Sequence, residues 1–131
     1  MTVVNSRRIT AHDVLKRYAD EGLPDFFEIE LIDVNQRGHS GDTPLCMACI
    51  RGDLEEVDAL LEGGAKTNMA GDMGYTPLHY ATSRGLAAIT RRLLEAGANP
   101  EIRNEFGETP SDVAEQLGHA DLVDLLAGKT E

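Results

Sequence analysis

The sequence predicts an all-α fold, a solenoid of helix-turn-helix units with projecting hairpin loops, and three observations predict it. One pattern recurs every 33 residues: Thr43-Pro44-Leu45-Cys46, Thr76-Pro77-Leu78-His79 and Thr109-Pro110-Ser111-Asp112 begin 33 residues apart. The same step separates Gly41, Gly74 and Gly107, then Ala48, Ala81 and Ala114, then Gly52, Gly85 and Gly118, and Leu60, Leu93 and Leu126. A fixed period of this length marks stacked units, each too small to bury its apolar face alone. The 131 residues also hold 41% hydrophobics but only 5% aromatics and no Trp. That composition suits helices packed through small residues rather than an aromatic-rich sheet sandwich. Finally, each unit carries helix start and stop signals in the right order.

Thr10 lies 33 residues before Thr43, and Asn35 lies 33 before Asn68. A decayed N-terminal capping unit is therefore expected over residues 10–37, behind a flexible stretch at 1–9. Val14, Leu15, Tyr18 and Ala19 form one apolar helical face, ended by Asp20-Glu21-Gly22. Residues 24–33 read two ways. Phe27, Ile29 and Leu31 alternate with Glu28 and Glu30 as in a strand, whereas the repeat register asks for a helix, and the register favours the helix.

Two regular units follow at 38–70 and 71–103. In each, Thr is an N-cap whose hydroxyl accepts from an orphan amide, and Pro occupies the first helical position, where its missing N–H costs nothing. The helix runs about eight residues to a glycine suited to the left-handed conformation. A second helix then starts, with Asp53 and Glu56 at the spacing of a capping box and Leu54, Val57, Leu60 and Leu61 on one face. Gly63-Gly64 or Gly97 closes it. The linkers that run to Thr76 and Thr109 are turn-rich and short enough only for tight hairpin loops. In the last unit, 104–131, Ser111, Asp112, Glu115, Gln116, Asp121 and Asp124 make the helices polar, as a C-terminal cap without a neighbour requires.

These residues resemble the ankyrin repeat family. The second unit carries the family's T-P-L-H-x-A signature intact as Thr76-Pro77-Leu78-His79-Tyr80-Ala81, followed by Gly85, Leu93-Leu94 and Gly97-Ala98. The first unit departs at Cys46 and the third at Ser111 and Asp112. The resemblance spans residues 34–131. It implies that His79 orders a loop by hydrogen bonding. It also implies that a partner is gripped by the hairpin tips and the exposed positions of each first helix, which line a concave face. Carried over position by position, the first unit offers His39, Ser40, Asp42, Ile50 and Arg51. The second offers Asp72, Met73, Tyr75, Ser83 and Arg84, and the third Glu105, Phe106, Glu108, Gln116 and Leu117.

Ile50, Met73, Tyr75 and Phe106 are expected to form an apolar and aromatic track, and large apolar side chains in a row mark a binding patch. The alternative is that Phe106 folds back into the capping unit and Met73 merely covers a turn. Arg51 and Arg84 stand at the same position in adjacent units and are expected to supply charge-assisted contacts. Lys plus Arg total 12 against 23 acids, a formal net charge of −11, with one Lys against seven acids over residues 104–131. Such a surface disfavours nucleic acid and anionic membranes and steers basic partners. No apolar run is long enough to cross a membrane, and residues 1–10 lack a signal-peptide core. A cytoplasmic, monomeric protein is expected.

Cys46 and Cys49 form a C-x-x-C pair, but no second pair completes a zinc site and no strand precedes it, so structural thiols are expected. His12, His39, His79 and His119 are scattered, without metal-ligand spacing. Gly64-Ala65-Lys66-Thr67 has the letters of a phosphate loop yet follows a helix C-terminus, where no anion site forms. No nucleophile set or dinucleotide fingerprint is present. The expected function is therefore non-enzymatic binding of a protein partner, without cofactor or metal. The alternatives are a bacterial immunity-type inhibitor of a basic toxin or enzyme, suggested by size and charge, and a thiol redox or metal protein through Cys46 and Cys49.

Overall fold

The computed structural model describes residues 8–28 and 33–128, and among these it contains seven α-helices and no strand. They are α1 (Ala11–Glu21), α2 (Pro44–Arg51), α3 (Leu54–Glu62), α4 (Pro77–Ser83), α5 (Ala87–Glu95), α6 (Pro110–Gln116) and α7 (Ala120–Leu126). The repeated Thr-Pro pairs explain three helix starts. Thr43, Thr76 and Thr109 sit in extended backbone with their side chains accepting from the amides of Cys46, His79 and Asp112, and the prolines behind them occupy the first turn. Thr10 caps α1 in the same way, with Asp13 completing a capping box. At the other end of α2, Gly52 adopts φ 72, the left-handed conformation that frees the chain to turn into α3.

The first helices α2, α4 and α6 stack as one row, and the second helices α3, α5 and α7 as another. Ala48, Ala81 and Ala114 are fully buried, so the first row packs through methyl groups alone. Leu45, Leu78, Val57, Leu60, Ile89 and Leu93 fill the space between the rows. Each fully buried Leu contributes roughly 1.5–3 kcal/mol by leaving water. The small-residue core predicted from composition is thus the one observed.

The N-terminal region departs from the repeat register. Thr10 starts a helix 33 residues before Thr43 does, but α1 does not stack on α2. It packs against α3 and runs antiparallel to it, because Arg8 meets Glu62 at 2.5 Å near one end while Arg17 meets Glu56 at 2.8 Å near the other. Gly63 permits the close approach, since a β-carbon there would collide with Ala11. Arg8 and Ile9 lie against this end of the stack, with Ile9 partly buried on the core, and residues 1–7 lie outside the described residues. Val14, Leu15 and Tyr18 are buried as their spacing predicted. The helix favoured for residues 24–33 is replaced at its start by a single 3-10 turn, Pro24–Phe26. Phe26 stacks on Tyr18 with ring centroids 6.0 Å apart, and Glu28 takes φ 61, which no helix accommodates. Residues 29–32 lie outside the described residues.

Candidate functional site

Three hairpins, at 38–42, 71–75 and 104–108, project from the same edge of the stack. Each is closed by a backbone bond: Gly38 N–H to the Asp42 carbonyl at 2.8 Å, Gly71 to Tyr75 at 2.7 Å, and Asn104 to Glu108 at 2.9 Å. The hairpins are also tied to one another. Asp72 N–H donates to Asp42 Oδ1 at 3.0 Å, and Glu105 N–H donates to the Met73 carbonyl at 3.0 Å. The first is tied back to the N-terminal turn, where His39 N–H donates to the Asp25 carbonyl at 2.7 Å and Ser40 N–H to Asp25 Oδ1 at 2.6 Å. A continuous backbone ladder therefore holds the three tips in fixed relation.

Two different latches fasten the hairpins to the helices. His79 is fully buried on α4. Its Nδ1 accepts the Thr76 N–H at 3.1 Å, so the proton sits on Nε2, which donates to the Glu108 carbonyl at 2.8 Å. Burial lowers its pKa, which keeps the ring neutral and the bonding pattern intact. This is the loop-ordering role implied by the family resemblance. The corresponding residue in the first unit, Cys46, makes only a long sulfur contact of 3.9 Å to the Met69 carbonyl. Asp42 takes over there. Its Oδ1 accepts from the Tyr80 hydroxyl at 2.8 Å as well as from the Asp72 amide, and Ser40 Oγ donates to Oδ2 at 3.2 Å. Burial, followed by the bond to Asp42, raises the Tyr80 phenol well above its ordinary range.

Asp42 is therefore placed differently from the sequence expectation. It is 6% exposed and serves as the bracket between the first two hairpins, with no free face for a partner. Arg51 is also redirected. Its guanidinium bonds Glu21 at 2.8 Å and Glu56 at 3.1 Å and lies 5.2 Å over the Tyr18 ring, binding α2 to α1 and α3. Arg84, 33 residues on, is exposed and has no ion pair among the described residues. One position thus carries an internal clamp in one unit and a free cation in the next.

Of the expected apolar track, Met73 is 48% and Phe106 63% exposed, whereas Ile50 and Tyr75 are only half-buried. Tyr75 packs its ring against His79 at 5.4 Å and Tyr80 at 5.3 Å, so its role is partly to support the tips. Met73 and Phe106 occupy the same position in successive hairpins. Phe106 does not fold back: its amide donates to Asn104 Oδ1 at 2.9 Å and its ring stands in solvent. Met73 is held at φ 54, a left-handed conformation that costs a non-glycine residue about 1–3 kcal/mol. Beside them, His39, Ser40 and Glu105 are exposed, Asp72 is half-buried, and Ser83 Oγ turns back to the Tyr80 carbonyl at 2.9 Å. Glu108 accepts from Asn104 and Gln116, bonds that hold its carboxyl below the usual range, and Leu117 is 55% exposed.

Sequence reasoning missed two features. Phe27 is 56% exposed beside the first hairpin, where His39 Nε2 donates to its carbonyl at 2.7 Å. Its alternation with Glu28 was a signal of an outward face, but not of which edge it reaches. Glu56 is the other. Asp53 does cap α3 by accepting the Glu56 amide, but the Glu56 side chain does not return to close a capping box. It is fully buried and accepts from Tyr18 Oη at 2.6 Å, from Arg17 and from Arg51.

Cys46 and Cys49 are both fully buried. Burial pushes the Cys46 thiol up to about 11 and the Cys49 thiol well above its ordinary value, the opposite of an activated thiolate. Among the described residues no group of three or more His, Cys, Asp or Glu is arranged to hold a metal ion, and no helix is long and apolar enough to cross a membrane.

Two stacked rows of short helices carrying a rigid edge of hairpins define a repeat-built binding scaffold. The family model for ankyrin repeats, in three copies, matches residues 12–104, and the chain belongs to the ankyrin repeat family. The α6–α7 unit continues the same geometry beyond the matched residues. Members of the family are generally non-enzymatic protein–protein interaction modules. No curated protein matches the chain.

Proposed function

We propose that this protein binds a protein partner through the hairpin edge and the concave face beside it, with Met73 and Phe106 as apolar anchors. The observation that supports this reading is their pairing. They are exposed large apolar side chains at the same position of consecutive hairpins, whose backbones are bonded together through Glu105 N–H and the Met73 carbonyl. Anchors held in place before binding lose little entropy on association. Arg84, Asp72, Glu105 and Tyr75 provide the surrounding polar rim. Arg51 and Asp42 act inside the scaffold and support the surface indirectly. The chain works as a monomer in the cytoplasm, and the acidic surplus favours a basic partner surface, as an inhibitor of a basic enzyme would meet.

Site-specific photo-crosslinking tests this directly. A benzophenone amino acid at position 106 is expected to trap a partner in extracts of the native host, whereas the same group at Leu54, an exposed apolar residue of α3, traps none. Adducts from position 54 and not from 106 would place the binding surface on the second-helix row and refute the reading.

A further inference from the structure

The stack repeats one seat along its length. Gly52, the residue after α2, faces Leu86, whose methyl carbon lies 3.6 Å from where a glycine β-carbon would stand. Gly85 faces the His119 ring at 2.9 Å in the same sense. Leu86 and His119 are the residues that lead into α5 and α7, so each glycine receives a side chain from the next unit. Gly118 is third in the series, and nothing lies within 4 Å of its seat. Around it, Glu115, Ala120, Val123 and Asp124 line an open cavity of about 280 Å³.

The walls of this cavity are positions that the inner units seal. Cys49 and Thr82 are fully buried, while their counterpart Glu115 is exposed. Val57 and Thr90 are fully buried, while their counterpart Val123 is half-buried. Neither Glu115 nor Asp124 has a hydrogen-bonding or ion-pair partner among the described residues. The seat thus combines an apolar floor, in a shape that accepts a flat imidazole one unit earlier, with two unpaired carboxylates at its rim.

We infer that this end face is a second protein-docking site, separate from the hairpin edge, and that its occupant is an arginine side chain of a partner protein. The arginine stem lies over Gly118, Ala120 and Val123, and the planar guanidinium sits between Glu115 and Asp124. Charge complementarity selects this occupant, since an arginine presents both the apolar stem and the fork of donors that the two carboxylates match. A second copy of the chain is disfavoured. Two such faces would oppose their acids, and the other end of the stack is covered by α1.

The test uses an acetylated, amidated tetra-arginine peptide as probe, followed by methyl NMR at Ala120 and Val123. Shifts concentrated at these methyls are expected. The paired change Glu115→Gln with Asp124→Asn is expected to weaken binding more than about tenfold, whereas a charge-matched pair elsewhere, Glu55→Gln with Glu101→Gln, weakens it less than about twofold. Ala120→Leu keeps both carboxylates but fills the seat, and is expected to abolish the Val123 shift. Equal weakening by the two pairs, or unchanged binding to Ala120→Leu, would reduce the attraction to net charge and overturn the site. Circular dichroism confirms that each variant is folded, and none of these residues belongs to the hairpin edge.

Discussion

The Tyr80 hydroxyl donates to Asp42 Oδ1 at 2.8 Å, and the same oxygen accepts the Asp72 amide at 3.0 Å, so one carboxylate joins two hairpins and a helix. Tyr80→Phe removes one charge-assisted bond and leaves the other bonds to Asp42 in place. A loss of about 1–2 kcal/mol is expected by urea unfolding. Asp42→Ala orphans both the hydroxyl and the amide and is expected to cost more than Tyr80→Phe. Equal stability of the wild type and both variants would show that the bracket contributes nothing.

Glu56 is the second buried carboxylate, shared by Tyr18, Arg17 and Arg51. Glu56→Ala leaves two guanidinium groups and a buried phenol without their common acceptor. Removing one partner from such a buried network costs about 3–5 kcal/mol, and thermal unfolding is expected to show a loss of that size. Leu15 and Tyr18 lose their support with it, so faster amide exchange is expected in α1 before α4.

His79 makes stability depend on pH. Its folded pKa lies below the model value of 6.5, because burial disfavours the imidazolium. The unfolded chain therefore takes up a proton near 6.5 that the folded chain resists. The stabilisation is complete above 6.5 and is lost as pH falls through that value toward the folded pKa. In His79→Gln this part of the pH dependence is expected to vanish. Denaturant midpoints measured across the range in both proteins check this, and parallel curves would contradict it.

Cys46 and Cys49 are expected to behave as core side chains. With Cys46 pushed up to about 11 by burial, a disulfide reagent at neutral pH reacts at the rate of unfolding. Native protein is expected to react slowly and denatured protein at once. One fast thiol in the native state would revive a redox role.

The repeat architecture was legible because its signals are local. A Thr-Pro start, an alanine seam and a glycine stop act within a single helix, and the 33-residue step multiplies them until the stacking follows. What escaped was decided by distant partners. Thr10 has the same local chemistry as Thr43 and does cap a helix, but capping says nothing of which surface the helix packs on, and α1 turned to α3. Glu56 has the spacing of a capping-box acid, and only the approach of Arg17, Tyr18 and Arg51 from two other helices draws it inward. Asp42 and Arg51 looked like surface residues for the same reason. Met73 and Phe106 were legible because nothing in their own units competes for them.

The central claim is that the hairpin tips are the partner-binding surface, and affinity capture with three baits tests it most directly. Wild type, a Met73→Ala, Phe106→Ala variant and a Leu54→Ala variant would be compared on extracts of the native host. A protein held by wild type and by Leu54→Ala, and lost by the tip variant, is the predicted result. A protein held equally by all three, or lost only with Leu54→Ala, would contradict the account.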